Sequence, residues 1–129
     1  MPTWYELREH ARTKYKLEDL EDDWFSLLWT YESERTQKIM VRCYEAFDQE
    51  WVEFRSFVCK GEELKPRVAL RKNDELSLGA LALDDEGDYA LIHHALLATL
   101  DPDEFALPLR MIAETADELE HQLSARDDF

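Results

Sequence analysis

Residues 24–60 read WFSLLWTYESERTQKIMVRCYEAFDQEWVEFRSFVCK, and the fold follows from how this stretch divides. Three segments, Trp24 to Tyr31, Gln37 to Phe47 and Glu50 to Lys60, are rich in aromatic and β-branched residues and are separated by short polar connections. Such segments suit the pleated, half-buried surface of a sheet, and connections this short join antiparallel neighbours. An antiparallel meander is expected. With Asp48 and Gln49 as a two-residue turn, Glu45 pairs with Val52, Cys43 with Phe54, Val41 with Ser56 and Ile39 with Val58. Paired residues share a face of the sheet. A preceding turn centred on Glu34 puts Phe25, Leu27 and Trp29 opposite Cys43, Val41 and Ile39, so one face is apolar on all three strands and should pack beneath helices. The other face carries Trp24, Leu28, Met40, Tyr44, Trp51 and Phe57, interleaved with Ser26, Thr30, Arg42, Glu53 and Arg55. In this register Arg42 and Arg55 oppose each other directly.

The flanking sequence supplies the helices. From Pro2 to about Tyr15, Trp4, Leu7 and Ala11 recur at helical spacing with charged residues between them. Leu17 and Leu20 follow among Glu18, Asp19, Glu21, Asp22 and Asp23 and read as a charge-rich loop. Beyond Lys60-Gly61, Pro66 suits the first position of a two-turn helix that ends near Asn73. Ser77 to Asp84 and Asp88 to about Leu97 are strands four and five, flanking Asp85-Glu86-Gly87, whose glycine can supply positive φ. At Asp101, a cap, a Pro and first-turn acids open a long helix with the apolar stripe Phe105, Leu109, Ile112, Ala116, Leu119 and Leu123. Pro108 should kink that helix or mark where its regular part begins. The expected fold class is α+β, one domain over residues 1–129: helix, three-strand antiparallel meander, helix, β-hairpin, long C-terminal helix.

Thirty acidic residues against fifteen Lys and Arg give a formal net charge of −15. Such a surface repels phosphate backbones and anionic lipid headgroups, so neither nucleic acid nor membrane is an expected partner. No apolar run approaches the roughly 20 residues of a membrane helix, and Met1-Pro2-Thr3-Trp4-Tyr5-Glu6 is unlike a secretory signal, so a soluble cytoplasmic protein is expected. Cys43 and Cys59 fall on strand positions that do not face each other and should be reduced thiols. His93 and His94 are adjacent on a strand and point to opposite faces, which is wrong for joint metal binding. Aligning Gly87 with the glycine of a calcium loop places Ala82 where the first carboxylate must be. There is no nucleophile elbow, phosphate loop or dinucleotide glycine pattern. No enzyme activity, metal or cofactor is expected.

Element order, size and acidity resemble the type III secretion chaperone-like fold, and specifically the bacterial YbjN-like family that shares it. The local matches are Leu70 to Asn73, then Leu78-Gly79-Ala80-Leu81-Ala82-Leu83, Tyr89-Ala90-Leu91, and Ala116-Asp117-Glu118-Leu119-Glu120 in the last helix. The resemblance implies a dimerising, nonenzymatic chaperone or regulator that holds an extended segment of a client protein. The residues themselves point to a surface for it: Trp24, Leu28, Met40, Tyr44, Trp51 and Phe57 as apolar anchors on the outer sheet face, with Arg42 and Arg55 as cations among them. A second subunit or another element could instead cover this face permanently. An acidic inhibitor or nucleic-acid mimic is the alternative function, and it needs its carboxylates gathered on one continuous surface.

Overall fold

A computed structural model describes residues 2–31 and 35–124, and the turn centre expected at Glu34 lies outside them. The chain opens with helix α1 (Trp4–Lys14), started by the Thr3 hydroxyl, which accepts from the Glu6 amide at 3.1 Å. Leu7 and Ala11, one turn apart, are its buried positions. A strand the sequence had read as a loop comes next: β1 (Lys16–Leu20) pairs antiparallel with β2 (Trp24–Thr30). Its charged residues hid it. An outermost strand is hydrogen-bonded on one side only and accommodates charges and bulges, and β1 carries both, with its register broken between Leu17 and Asp19. The meander therefore has four strands, completed by β3 (Thr36–Ala46) and β4 (Gln49–Cys59).

Both registers differ from expectation by two residues. Val41, not Cys43, lies opposite Phe25 and Phe54, and Cys43 lies opposite Val52. The turn is Phe47-Asp48, closed by the pair Ala46 and Gln49, and both turn residues have positive φ, 54° and 59°. That sign pattern is the primed turn whose twist matches a hairpin, adopted here without its usual Asn or Gly, which is why Asp48-Gln49 looked the better turn. An even offset preserves side-chain parity, so every residue keeps its expected face while its cross-strand partner changes. One consequence matters below: Arg42 lies opposite Glu53, and Arg55 opposite Met40, so the two arginines are not opposed.

Helix α2 (Pro66–Glu75) runs two residues past Asn73, and the chain then enters β5 (Ala80–Leu83) and β6 (Tyr89–Leu96). The six strands lie in the order β1-β2-β3-β4-β6-β5 and are antiparallel throughout. Gly79 enters β5 at φ 81°, where a Cβ would sit 2.9 Å from the Ile92 carbonyl oxygen; only glycine fits. Helix α3 (Pro102–Ser124) begins with the Asp101 carboxylate accepting from the Glu104 amide at 2.9 Å and continues through Pro108. Its stripe of Phe105, Leu109, Ile112, Ala116, Leu119 and Leu123 is buried against the inner face with Phe25, Leu27, Ile39, Val41, Val52, Phe54 and Leu91. Phe105 packs on Phe54 at 5.4 Å between ring centroids, and Trp4 of α1 stacks on Phe25 at 5.5 Å. With the centre of the helix-facing side so filled, the outer face is the larger open surface of the sheet among the described residues.

The two sheet edges are closed differently. Along β5, the Asn73 side-chain oxygen accepts from the Leu81 amide at 2.7 Å, and its amide group donates to the Leu81 carbonyl at 3.3 Å. One side chain thus occupies the backbone positions that an added strand would use.

Candidate functional site

All eight residues singled out for the outer face lie on it. Trp24, Leu28, Met40, Arg42, Tyr44, Trp51, Arg55 and Phe57 alternate along β2, β3 and β4 with the buried inner set. Four of them, Trp24, Met40, Arg42 and Arg55, meet in one open depression of about 560 Å³ with Glu53, Leu83 and the acidic run Asp84-Asp85-Glu86. Met40 and Phe57 are exposed, and Trp24 and Leu28 are partly so. Tyr44 and Trp51 sit opposite each other toward the β3–β4 turn, where the Trp51 indole donates to the Ala46 carbonyl at 2.9 Å. They flank the depression rather than line it.

The centre of this face is Glu53, which the sequence places among the outer-face residues between the two arginines. Glu53 is 7% exposed, and its two oxygens accept from Arg42 at 3.2 Å and Arg55 at 3.3 Å. Burial is the largest single influence on Glu53 and raises its pKa, but the two guanidinium groups together outweigh it and hold the carboxyl below its usual range. The three side chains alone carry one net positive charge, but with Asp84, Asp85 and Glu86 the lining of the depression is net negative, like the chain as a whole at −15. The Arg42 guanidinium also lies over the Tyr44 ring, 4.6 Å from its centroid. The Tyr44 hydroxyl shares a hydrogen bond with His94 Nδ1 at 2.7 Å, and His94 Nε2 lies 3.9 Å from Glu53. His93 and His94 do point to opposite faces: His94 pairs with Glu53 outside, while His93 pairs with Phe54 inside. Burial, with His94 beside it, pushes the His93 pKa down.

Sequence reasoning offered Glu53 as a partner of the two arginines but missed His94 and the wall formed by Leu83 to Glu86. The signal for Glu53 was present, since a lone acid between two arginines at matching parity on neighbouring strands is a bridge in one register and not in the other. No comparable signal existed for His94 or the β5–β6 turn, because nothing local says that β6 lies beside β4. Burial raises the Cys43 thiol to about 11, with Glu50 adding to the effect, and Cys59 is likewise raised to about 11, so neither is an activated nucleophile. Among the described residues no group of three or more His, Cys, Asp and Glu side chains is arranged to hold a metal ion, and no helix is long and apolar enough to cross a membrane.

Neither a family model nor a curated protein matches the sequence. Solved structures do match the fold. A chain of the HopA1-SchA chaperone-effector complex superposes with a TM-score of 0.66 at 11% identity, covering 91% of each chain. A chain of the ExsC-ExsE complex gives 0.64 at 16% identity, covering 92% of this chain and 91% of that one. This chain shares the fold of these two chains, an α+β architecture that here has a six-stranded antiparallel sheet and a long C-terminal helix.

Proposed function

We propose that this protein is a nonenzymatic chaperone or regulatory adaptor of the cytoplasm, homodimeric, that holds an extended segment of a client protein against the outer face of its sheet. The observation that carries this reading is the depression itself: apolar Trp24, Met40 and Leu83 surround a buried carboxylate held by two arginines on a face that, among the described residues, no helix covers. A client segment would bury apolar side chains over Trp24, Met40 and Phe57 and set a carboxylate of its own against Arg42 or Arg55, whose side chains are partly exposed. The fold is consistent with the role, since its solved counterparts include a chain of a chaperone-effector complex. The YbjN-like resemblance of Leu78 to Leu83 and Ala116 to Glu120 belongs to the same reading and adds no catalytic residue.

The alternative, an acidic inhibitor or nucleic-acid mimic, requires a continuous anionic face. Exposed acids instead occupy Glu21 to Asp23 beside one sheet edge, Asp85 and Glu86 at the other, and Glu114 and Glu118 on the helical layer. That dispersal favours solubility over mimicry. The test is capture from the native lysate by the full chain and by Met40→Lys, whose site is 40% exposed, with thermal denaturation of the variant to check that its fold is kept. A captured protein that disappears with Met40→Lys supports the reading. Equal capture by both places the client elsewhere.

A further inference from the structure

Two arginines against four carboxylates leave the lining of the outer-face depression two charges negative. Arg42, Arg55 and Glu53 pair with one another on its floor, so the surplus lies on the wall that the β5–β6 turn raises. Three residues hold that turn. The Asp84 carboxylate accepts from the amides of Glu86 and Asp88, both at 2.9 Å, Gly87 takes φ 81°, and Asp88 pairs with Lys60 at 3.5 Å. The carboxylates of Asp85 and Glu86 take no part in it. Both residues are exposed, and among the described residues neither side chain has a hydrogen-bond or ion-pair partner.

Leu83, itself exposed, stands beside these acids in the same wall. An apolar side chain next to two free carboxylates suits Lys or Arg, whose methylene stem lies along apolar surface while the charged head stays in water. The sheet sets the spacing. One row of its outer face runs Met40, Arg55, Ile92 and Ala80, across β3, β4, β6 and β5. Strands lie about 4.8 Å apart, so β3 and β5 are separated by about 14 Å. An extended segment laid across them turns a side chain toward the sheet at every second residue, about every 6.7 Å. The first such residue covers Met40, the second meets Arg55, and the third arrives at β5, whose end leads into Asp84, Asp85 and Glu86. Arg55 bonds Glu53 through its Nε at 3.3 Å, which among the described residues leaves the N–H groups of its terminal nitrogens for a second carboxylate.

We propose that the client segment crosses the strands with the pattern apolar, any residue, acidic, any residue, basic, and that Asp85 and Glu86 hold its Lys or Arg over Leu83. Charge complementarity selects this occupant: a client acid alone would add to a lining already two charges negative, and the base offsets it. The inference rests on the client-binding reading and names the chemistry of the segment that the face takes.

The test is selection from a phage-displayed library of random peptides on the purified full chain. Selected sequences are expected to share an apolar residue, an acid two positions away and a base two further, in either chain direction, and to lose binding to Met40→Lys. For a selected peptide, Asp85→Asn with Glu86→Gln should weaken binding about fivefold at an unchanged melting temperature. Glu114→Gln with Glu118→Gln makes the same charge change on the helical layer and should leave binding as it is. The variant Asp85→Lys with Glu86→Lys should prefer the peptide whose base is replaced by Glu. Peptides that need Met40 but carry no base, or that bind Asp85→Asn with Glu86→Gln as well as wild type, would overturn the proposal and leave the client-binding reading standing. Equal weakening by the two neutralised pairs would assign the effect to net charge and overturn it too. A library that yields no peptide sensitive to Met40→Lys would overturn both.

Discussion

Replacing Glu53 by Gln removes the charge that two arginines share while keeping the shape of the side chain. Glu53 is buried at 7% exposure, and its partners lie at 3.2 and 3.3 Å. A hydrogen bond to a buried carboxylate contributes up to about 1.5–3 kcal/mol, but the partly exposed arginines screen each one to about 1 kcal/mol. Glu53→Gln should therefore cost about 2 kcal/mol, which for a chain of this length lowers the melting temperature by about 7 °C. Thermal denaturation followed by circular dichroism measures the shift. A cycle with Arg42→Gln isolates one pair and should show a coupling of about 1 kcal/mol. The pH dependence carries a sign. Burial raises the Glu53 pKa and the two arginines more than reverse it, so the folded value lies below the ordinary 4.5. Stability from this group is then complete above that value and is lost as pH falls through the folded value, so wild type and Glu53→Gln should converge in acid. A shift below about 2 °C at neutral pH, or no coupling with Arg42, would refute the assignment of Glu53 as the organiser of this face.

Asn73→Ala leaves the Leu81 amide and carbonyl without their side-chain partner and should cost about 1–2 kcal/mol, read as a fall of about 5 °C in melting temperature; an unchanged value would mean that Asn73 does not secure the β5 edge. The His93 pKa lies below its ordinary 6.5, so the unfolded chain binds the proton first and stability declines as pH falls below 6.5. His93→Phe should flatten the melting temperature over that range, and an undiminished slope would assign the sensitivity elsewhere. Val52, the partner of Cys43, is seven residues from Cys59 along β4, about 23 Å, so both thiols should stay reduced. Intact mass under nonreducing conditions checks this, and loss of two hydrogens would contradict it. With both thiols raised to about 11, alkylation near neutral pH should also be slow.

The two faces of the meander were legible because strand side chains repeat every two residues, and both register errors were even. What the sequence concealed was where the turn fell, since Phe47-Asp48 carries two positive φ values without glycine or asparagine. That shift of two residues separated Arg42 from Arg55 and set Arg42 directly opposite Glu53, which Arg55 already neighbours on its own strand. Strand β1 was hidden for a different reason: Lys16 to Leu20 looks like a loop because an edge strand carries charge that a central strand could not. The placement of β6 beside β4, which brings His94 to Tyr44, is a pairing across fifty residues of sequence with no local signature. Asn73 looked like a helix terminator and serves instead as a clamp on β5.

The central claim, that the outer sheet face holds an extended client segment, is tested most directly by site-specific photo-crosslinking in native lysate. A photoreactive phenylalanine analogue at position 40, over the depression, is compared with one at position 5, where Tyr5 is exposed on α1. The prediction is a crosslink from position 40, and not from position 5, to one contiguous peptide of another protein that carries apolar residues and an acid. Crosslinks from position 40 only to a second copy of this chain would make the face an interface between copies and contradict the claim.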